Sequence, residues 1–372
     1  MTARRTGVLR AALLAALVGM LAACNAIGAQ GTGSPGTGSP GTGSPGTGAA
    51  PSSAAPGSSA PTAAPAVAAG ARSACGGRGS VRVSSASALT SALATARPGQ
   101  TIVLAPGVYT GDFVATVSGT QAAPITLCGS RGSVLAGTSI QEGYTFYLNQ
   151  ASWWRLEGFT VQGGQKGVVA DGVSHDLLYG LYVHSTGDEA IHLRSFSSHN
   201  IVSHCVIRHT GLLVQFYGEG IYVGSANSNW CRYTGCKPDA SNFNLLVDNN
   251  VADTTAENID IKEGTTGGTI TGNHLDGTGM VAAAATAWVN VKGNHWTVVG
   301  NIGVNSIGDG FQVHQVYPGW GIGNIFRGNR AQVNGPGYGI YVQSKSLHTV
   351  VACNNVVAAA GQGLTSVPCS HL

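Results

Sequence analysis

Only 9% of the 372 residues are charged, and 19 basic against 16 acidic residues leave a formal balance of +3. Arg4, Arg5 and Arg10 supply that excess. The remainder is near neutral and carries no basic face of the kind a nucleic-acid partner requires.

In chain order, those three arginines precede an apolar run, Ala11 to Ala22, that ends in Leu21-Ala22-Ala23-Cys24. A charged n-region, a short h-region and a small-residue cleavage site make a signal peptide, and the run is too short to span a bilayer. The tetrad resembles a bacterial lipobox, which implies that residues 1–24 are a lipoprotein signal peptide with its lipobox cysteine, cleaved before Cys24 so that Cys24 becomes the acylated N-terminus. A plain secretory peptide with an incidental cysteine is the alternative. Either way the chain is expected outside the cell, lipid-anchored at the outer face of the membrane or secreted, and touching the membrane only through that anchor.

Residues 25–72 repeat Gly-Thr-Gly-Ser-Pro from Gly31, Gly36 and Gly41 and continue in Ala, Ser and Pro. Such a composition cannot bury a core and predicts a flexible linker. Seven cysteines follow Cys24. Export favours disulfides, and Cys231 with Cys236 and Cys353 with Cys369 are the expected pairs because each closes a local loop. Cys205, inside Val202-Ser-His-Cys-Val-Ile207, reads as a buried thiol. The partners of Cys75 and Cys128 stay open.

Over residues 73–372 the chain repeats. Aligning Asn249-Asn250, Gly272-Asn273, Gly300-Asn301, Gly328-Asn329 and Cys353-Asn354 gives spacings of 23, 28, 28 and 25 residues, one solenoid coil per step. Short β-branched runs are separated by Gly and Asn, which tolerate the left-handed backbone of tight turns. The fold expected is all-β, a single-stranded right-handed parallel β-helix, with a short helix around Leu89 to Leu93 capping the first coil against exposed strand edges.

One strand of each coil is informative by its parity. Its inward residues are Ile191/Leu193, Ile221/Val223, Ile259/Ile261, Val289/Val291, Phe311/Val313 and Ile340/Val342. The outward face therefore reads His192/Arg194, Tyr222/Gly224, Asp260/Lys262, Asn290/Lys292, Gln312/His314 and Tyr341/Gln343. The chain has only five lysines, and Lys262 and Lys292 stack on consecutive coils. Insertions at Leu212–Tyr217, Ser225–Asn242, Gly279–Thr286 and after His314 are expected to wall a groove over Tyr222, Asp260, Asn290 and Gln312. Trp230, Tyr233, Trp288, Tyr317 and Trp320 are placed on or beside those walls, and Tyr341 at the end of the column. Glu189, Glu219, Glu257 and Asp309 form an acidic column before the strand. With Asp260, Glu219 and Glu257 are the candidate ligands for Ca²⁺; capping the turn or balancing the lysines is the other reading.

These features carry a resemblance. Asn258-Ile-Asp-Ile-Lys-Glu-Gly264, Gly323-Asn-Ile-Phe-Arg-Gly-Asn-Arg-Ala331 and Gly337-Tyr-Gly-Ile-Tyr341 resemble pectate-lyase-type β-helix proteins, notably polysaccharide lyases of family 9. The stretch Leu89 to Tyr109, with Pro124-Ile-Thr-Leu127, is similar to the opening of family 6 lyases. The resemblance implies β-elimination on a uronate polysaccharide. Lys262 would be the base, its pKa lowered by the neighbouring cation, Lys292 would stabilise the carboxylate, and His314 or Arg194 would help. The scattered acids depart from the clustered aspartates of family 9, and Lys292 stands where family 6 carries an arginine. A glycoside hydrolase using Asp260 with Glu219 or Asp309 and a non-catalytic glycan-binding surface protein remain alternatives on this scaffold. A monomer is expected.

Overall fold

The structure, a computed structural model, describes residues 75–77 and 79–371; the expected signal peptide, Cys24 and linker lie outside them. Three parallel sheets of 11, 9 and 10 strands run the length of the stack. The chain visits them in a fixed rotation. Leu177–Tyr179 lies in the 11-stranded sheet, Tyr182–His184 in the 10-stranded sheet and Ile191–Arg194 in the 9-stranded sheet. Ile201–Ser203 then pairs with Leu177–Tyr179 one coil on. This is the right-handed parallel β-helix that the repeat predicts.

The corner between the 11- and 10-stranded sheets shows why Gly and Asn recur. One residue per coil there takes a left-handed backbone: Gly180, His204, Asp248, Gly272, Gly300 and Gly328, with φ between 54° and 66°. The next residue points inward and builds the ladder. Cys205 N donates to Oδ1 of Asn249 at 3.0 Å, and the pattern continues through Asn273, Asn301, Asn329 and Asn355 at 2.9 to 3.0 Å. The column therefore contains Asn249 and Asn355, and the neighbouring Asn250 and Asn354 of the sequence alignment lie outside it. Each buried amide satisfies backbone groups that no strand partner reaches.

Both ends of the stack are closed. Helix Ala86–Ala94 starts at Ser85, whose Oγ accepts from Ala88 N at 3.2 Å, and buries Leu89 and Leu93, the capping role expected of it. Cys75–Cys128 ties this end. At the other end Thr365 and Ser370 bridge to Ile340 and Ala352, and Cys353–Cys369 pins the tail. Cys231–Cys236 and Cys353–Cys369 are bonded as expected, and Cys205 is free and buried.

Candidate active site

The 9-stranded sheet carries the site, in the register that the alternation predicts. His192, Tyr222, Asp260, Asn290, Gln312 and Tyr341 are successive partners across its strands, while every inward residue of the six strands is buried. One step further, Lys262 N donates to Val223 O, Lys292 N to Ile261 O and His314 N to Val291 O. Lys262, Lys292 and His314 are thus stacked on consecutive coils, about 4.8 Å apart.

The insertions form two walls. On one side Thr255 joins two of them: its Oγ1 donates to Gln215 O at 2.8 Å, and its carbonyl accepts from Val281 N at 2.9 Å. On the other side the Trp230 and Tyr317 rings meet edge to face at 5.1 Å, linking the loop after Ile221–Val223 to the loop after Asp309–Val313. Trp320 is half-buried on that second loop, and Tyr341 is half-buried beyond His314. Phe216 and Tyr217, both exposed, add aromatic surface to the first wall. Their signal in the sequence is an adjacent aromatic pair inside a loop insertion.

At the floor, Asp260 is the hub. Its Oδ2 lies 2.7 Å from Lys262 Nζ and its Oδ1 2.5 Å from Lys292 Nζ. The two lysines are therefore not bare like charges. Burial works against the charge on Lys262, but Asp260, with Tyr222 and Glu219, outweighs it and holds the amine well above the ordinary lysine value. The lowered pKa expected of a base is replaced by its opposite, because the carboxylate sits between the cations. Burial likewise opposes ionisation of Asp260, and Lys262 and Lys292 overcome it and hold the group below the usual carboxylate range. The Tyr222 ring centroid lies 4.9 Å from Lys262 Nζ; burial pushes its phenol up.

The acidic column stands beside this hub. Glu219, Glu257 and Asp260 each present an oxygen within 4.8 Å of the others, the three ligands named from sequence. Burial, then Glu189 and Asp260, drive Glu219 well above its ordinary value, and its Oε2 has no hydrogen-bond partner among the described residues. Burial, then Asp260, also raise Glu257. Buried hard oxygens with an unpaired member suit Ca²⁺ in kind, and they supply three of its six to eight ligands. Glu189 is engaged elsewhere, by Lys166 and by His192 Nδ1 at 3.3 Å.

Four expected site residues are committed to the protein itself. Arg194 is 2% exposed and bonded to Asp171 through Nε at 2.7 Å and a second nitrogen at 3.1 Å, with Tyr233 covering its guanidinium at 4.2 Å. It stabilises the coils before the groove and is not free to meet a substrate carboxylate. Trp288 is fully buried, and its Nε1 donates to Val304 O at 2.9 Å. Its indole packs where Gly303 and Gly310 carry no side chain, so it fills the core and leaves the wall to others. Gln312 links Thr286 Oγ1 and Asp309 Oδ2 at 2.9 and 2.7 Å. Asn290 joins Glu257 to His314. Burial, then Lys292, lower the His314 pKa.

No protein-family model matches the chain, and no curated protein sequence does. Solved structures do. The pectate lyase Pel9A superposes with a TM-score of 0.57 at 16% identity, covering 74% of this chain and 71% of its own, a likeness of fold. The alginate lyase from Paenibacillus sp. str. FPU-7 superposes with a TM-score of 0.71 at 34% identity, covering 77% of this chain and 98% of its own. On that identity over nearly the whole of the second enzyme, the chain belongs to its family, among the pectate-lyase-like right-handed parallel β-helix proteins.

Proposed function

We propose that the protein is an exported polysaccharide lyase that cleaves a uronate polymer, alginate first among the candidates, by β-elimination. The observation that carries this reading is the pair Lys262 and Lys292 on Asp260, at the floor of a walled groove in a chain 34% identical to an alginate lyase. Elimination next to a carboxylate requires that the carboxylate be neutralised so that negative charge can develop at C5. Two lysine side chains held in place by one buried carboxylate, Lys262 kept charged by it, are fitted to that task. Lys262, the more exposed of the two, then also has a proton to give to the departing oxygen. If Ca²⁺ is bound, Glu219, Glu257 and Asp260 would hold it, and it would add positive charge beside the same carboxylate.

The hydrolase alternative fares worse. Asp260 is bound by both lysines, and Asp309 is bonded to Gln312 and to Tyr338 N, so these carboxyls do not form a free acid–base pair across the groove. Export and acylation at Cys24 rest on the leader sequence, and three disulfides suit an oxidising compartment.

Incubation with mannuronate-rich alginate, guluronate-rich alginate and pectate tests the reading. The expected product is an unsaturated uronide, seen by its ultraviolet absorbance. No such product from any uronate polymer would sink it, and reducing sugar without the chromophore would favour hydrolysis.

A further inference from the structure

The two sides of the groove differ in charge. The connections from the 9-stranded to the 11-stranded sheet, which build the wall of Trp230 and Tyr317, contain Arg232, Lys237, Lys262, Lys292 and Lys345. Their acids, Asp176, Asp239 and Glu263, are no more than 1% exposed. The connections from the 10-stranded to the 9-stranded sheet, which build the wall of Phe216 and Tyr217, contain no lysine or arginine from Gly111 onward. Asp112 and Glu142 are exposed there, and the Asp253 side chain is half-exposed. The chain after Arg10 is near neutral, so this division, and not net charge, decides where a polyanion is drawn.

Lys262 and Lys292 are held by Asp260 on the floor. Arg232, Lys237 and Lys345 are exposed and have no acidic partner among the described residues. They share one continuous wall. Arg232 and Lys237 lie on the hairpin closed by Cys231–Cys236, and Trp230 of the same loop meets Tyr317. In the loop of Tyr317, Gln315 N donates to Gln343 Oε1 at 2.6 Å, two residues before Lys345. The hairpin loop is anchored. Asp239 accepts from Ser195 N and Phe196 N at 2.9 Å, and Glu263 Oε1 accepts from Asn227 N at 2.6 Å, so its cations lose little freedom on binding.

We infer that Arg232, Lys237 and Lys345 form a docking strip for an acidic polysaccharide, on this wall alone and outside the floor of the groove, so that the polymer is captured with carboxylates turned toward it. A uronate polymer as the partner rests on the lyase reading; the strip rests on the division of charge. Three cations are fewer than the roughly four to eight that hold a protein on an anionic bilayer, and they border a groove, so the polymer is the partner they fit.

Retention of the full chain on immobilised mannuronate-rich and guluronate-rich alginate, at low and high salt, tests the strip. Two triple variants lose the same net charge: Arg232→Gln/Lys237→Gln/Lys345→Gln on the strip, and Arg82→Gln/Arg97→Gln/Arg330→Gln at exposed positions elsewhere. All six side chains are exposed, so both variants should fold, and thermal melts check this. At low salt the strip variant is expected to bind about tenfold more weakly than wild type and the control within about twofold. At high salt the three should converge. Equal weakening in the two triples, no weakening in the strip variant, or wild-type retention that ignores salt overturns the inference. Binding to vesicles of equimolar phosphatidylglycerol and phosphatidylcholine that only the strip variant loses, with its alginate retention unchanged, assigns the strip to a lipid surface and overturns the partner. If the wild type cleaves no uronate polymer while the strip variant alone loses retention, the lyase reading falls and the strip stands. If it cleaves and both triples are retained alike, the strip falls and the lyase reading stands.

Discussion

Lys262 and Lys292, thirty residues apart in sequence, are held by the two oxygens of one carboxylate, Asp260, at 2.7 and 2.5 Å. Each lysine is less a neighbour of the other than a counter-ion of the residue between them. This changes what the pair can do, because a lysine charged by a buried acid serves as a cation before it serves as a base.

Asp260→Asn should therefore cost more than a surface change. Removing the shared partner leaves two ammonium groups uncompensated in a largely buried site, and a loss of about 3 to 5 kcal/mol is expected by denaturant titration. The sign with pH is also set. Lys262 has a folded pKa above its unfolded one, so its contribution to stability is fully present below the unfolded lysine value and is lost as pH rises through the folded value. In Asp260→Asn that alkaline loss should begin at lower pH, and the alkaline limb of activity should move the same way.

Lys262→Arg and Lys262→Ala separate charge from proton transfer. Arginine keeps the cation but gives up a proton far less readily, so Lys262→Arg should retain KM within a few-fold while kcat falls by about 10² or more. Lys262→Ala should lose both. Equal damage to KM in the two variants would place carboxylate binding elsewhere.

A third prediction concerns the corner leading from the 9-stranded to the 11-stranded sheet. Asp176 occupies the first place in a short ladder with Asn200 and Asn244: its N donates to Asn200 Oδ1 at 3.0 Å, and its own Oδ1 accepts from Trp154 N at 2.7 Å. Its other oxygen has no hydrogen-bond partner among the described residues, and burial raises its pKa well above the ordinary value. The stability this group contributes is present below the unfolded carboxyl value, about 3.9, and is lost as pH rises through the folded one. Asp176→Asn supplies a neutral donor where the orphan oxygen lies. It should raise neutral-pH stability by about 1 to 3 kcal/mol and flatten the fall in melting temperature between acid and neutral pH.

Tyr317→Ala tests the wall. Tyr317 is 41% exposed and touches Trp230 across two loops, so its loss should change stability by less than about 1 kcal/mol. A several-fold rise in KM on polymer, with kcat little affected, is expected if the joined loops hold the substrate. An unchanged KM would remove that wall from the binding site.

The alternation of the sixth-by-sixth strand pairs was legible because a buried face tolerates no one-residue slip; Tyr222, Asp260, Asn290, Gln312 and Tyr341 fall in register accordingly. The asparagine column was legible to within one position. Asn249 and Asn250 are alike in sequence, and only the left-handed backbone of Asp248 decides which of them turns inward. Arg194 could not be read, since Asp171 lies one coil back and salt-bridge partners between coils leave no local pattern. Trp288 shares the parity of Asn290, but it enters a space left by two glycines on the next coil, which alternation along one strand does not contain. The direction of the Lys262 pKa was not legible for a related reason: alternation shows that Asp260, Lys262 and Lys292 share one face, but not that the carboxylate lies between the two amines.

The groove walls come from insertions between strands, whereas the asparagine ladder and the inward rows come from the coils themselves. Recognition and folding thus draw on largely different stretches of the chain, with one overlap: in 225–242, Asp239 and Ser241 are fully buried and accept from Ser195, Phe196 and Ser197 of the coil before. Exchange for a relative's loops is expected to be tolerated best at the exposed tips around Phe216 and Tyr317, where a change of accepted polymer would leave the strands that present Lys262 and Lys292 in place.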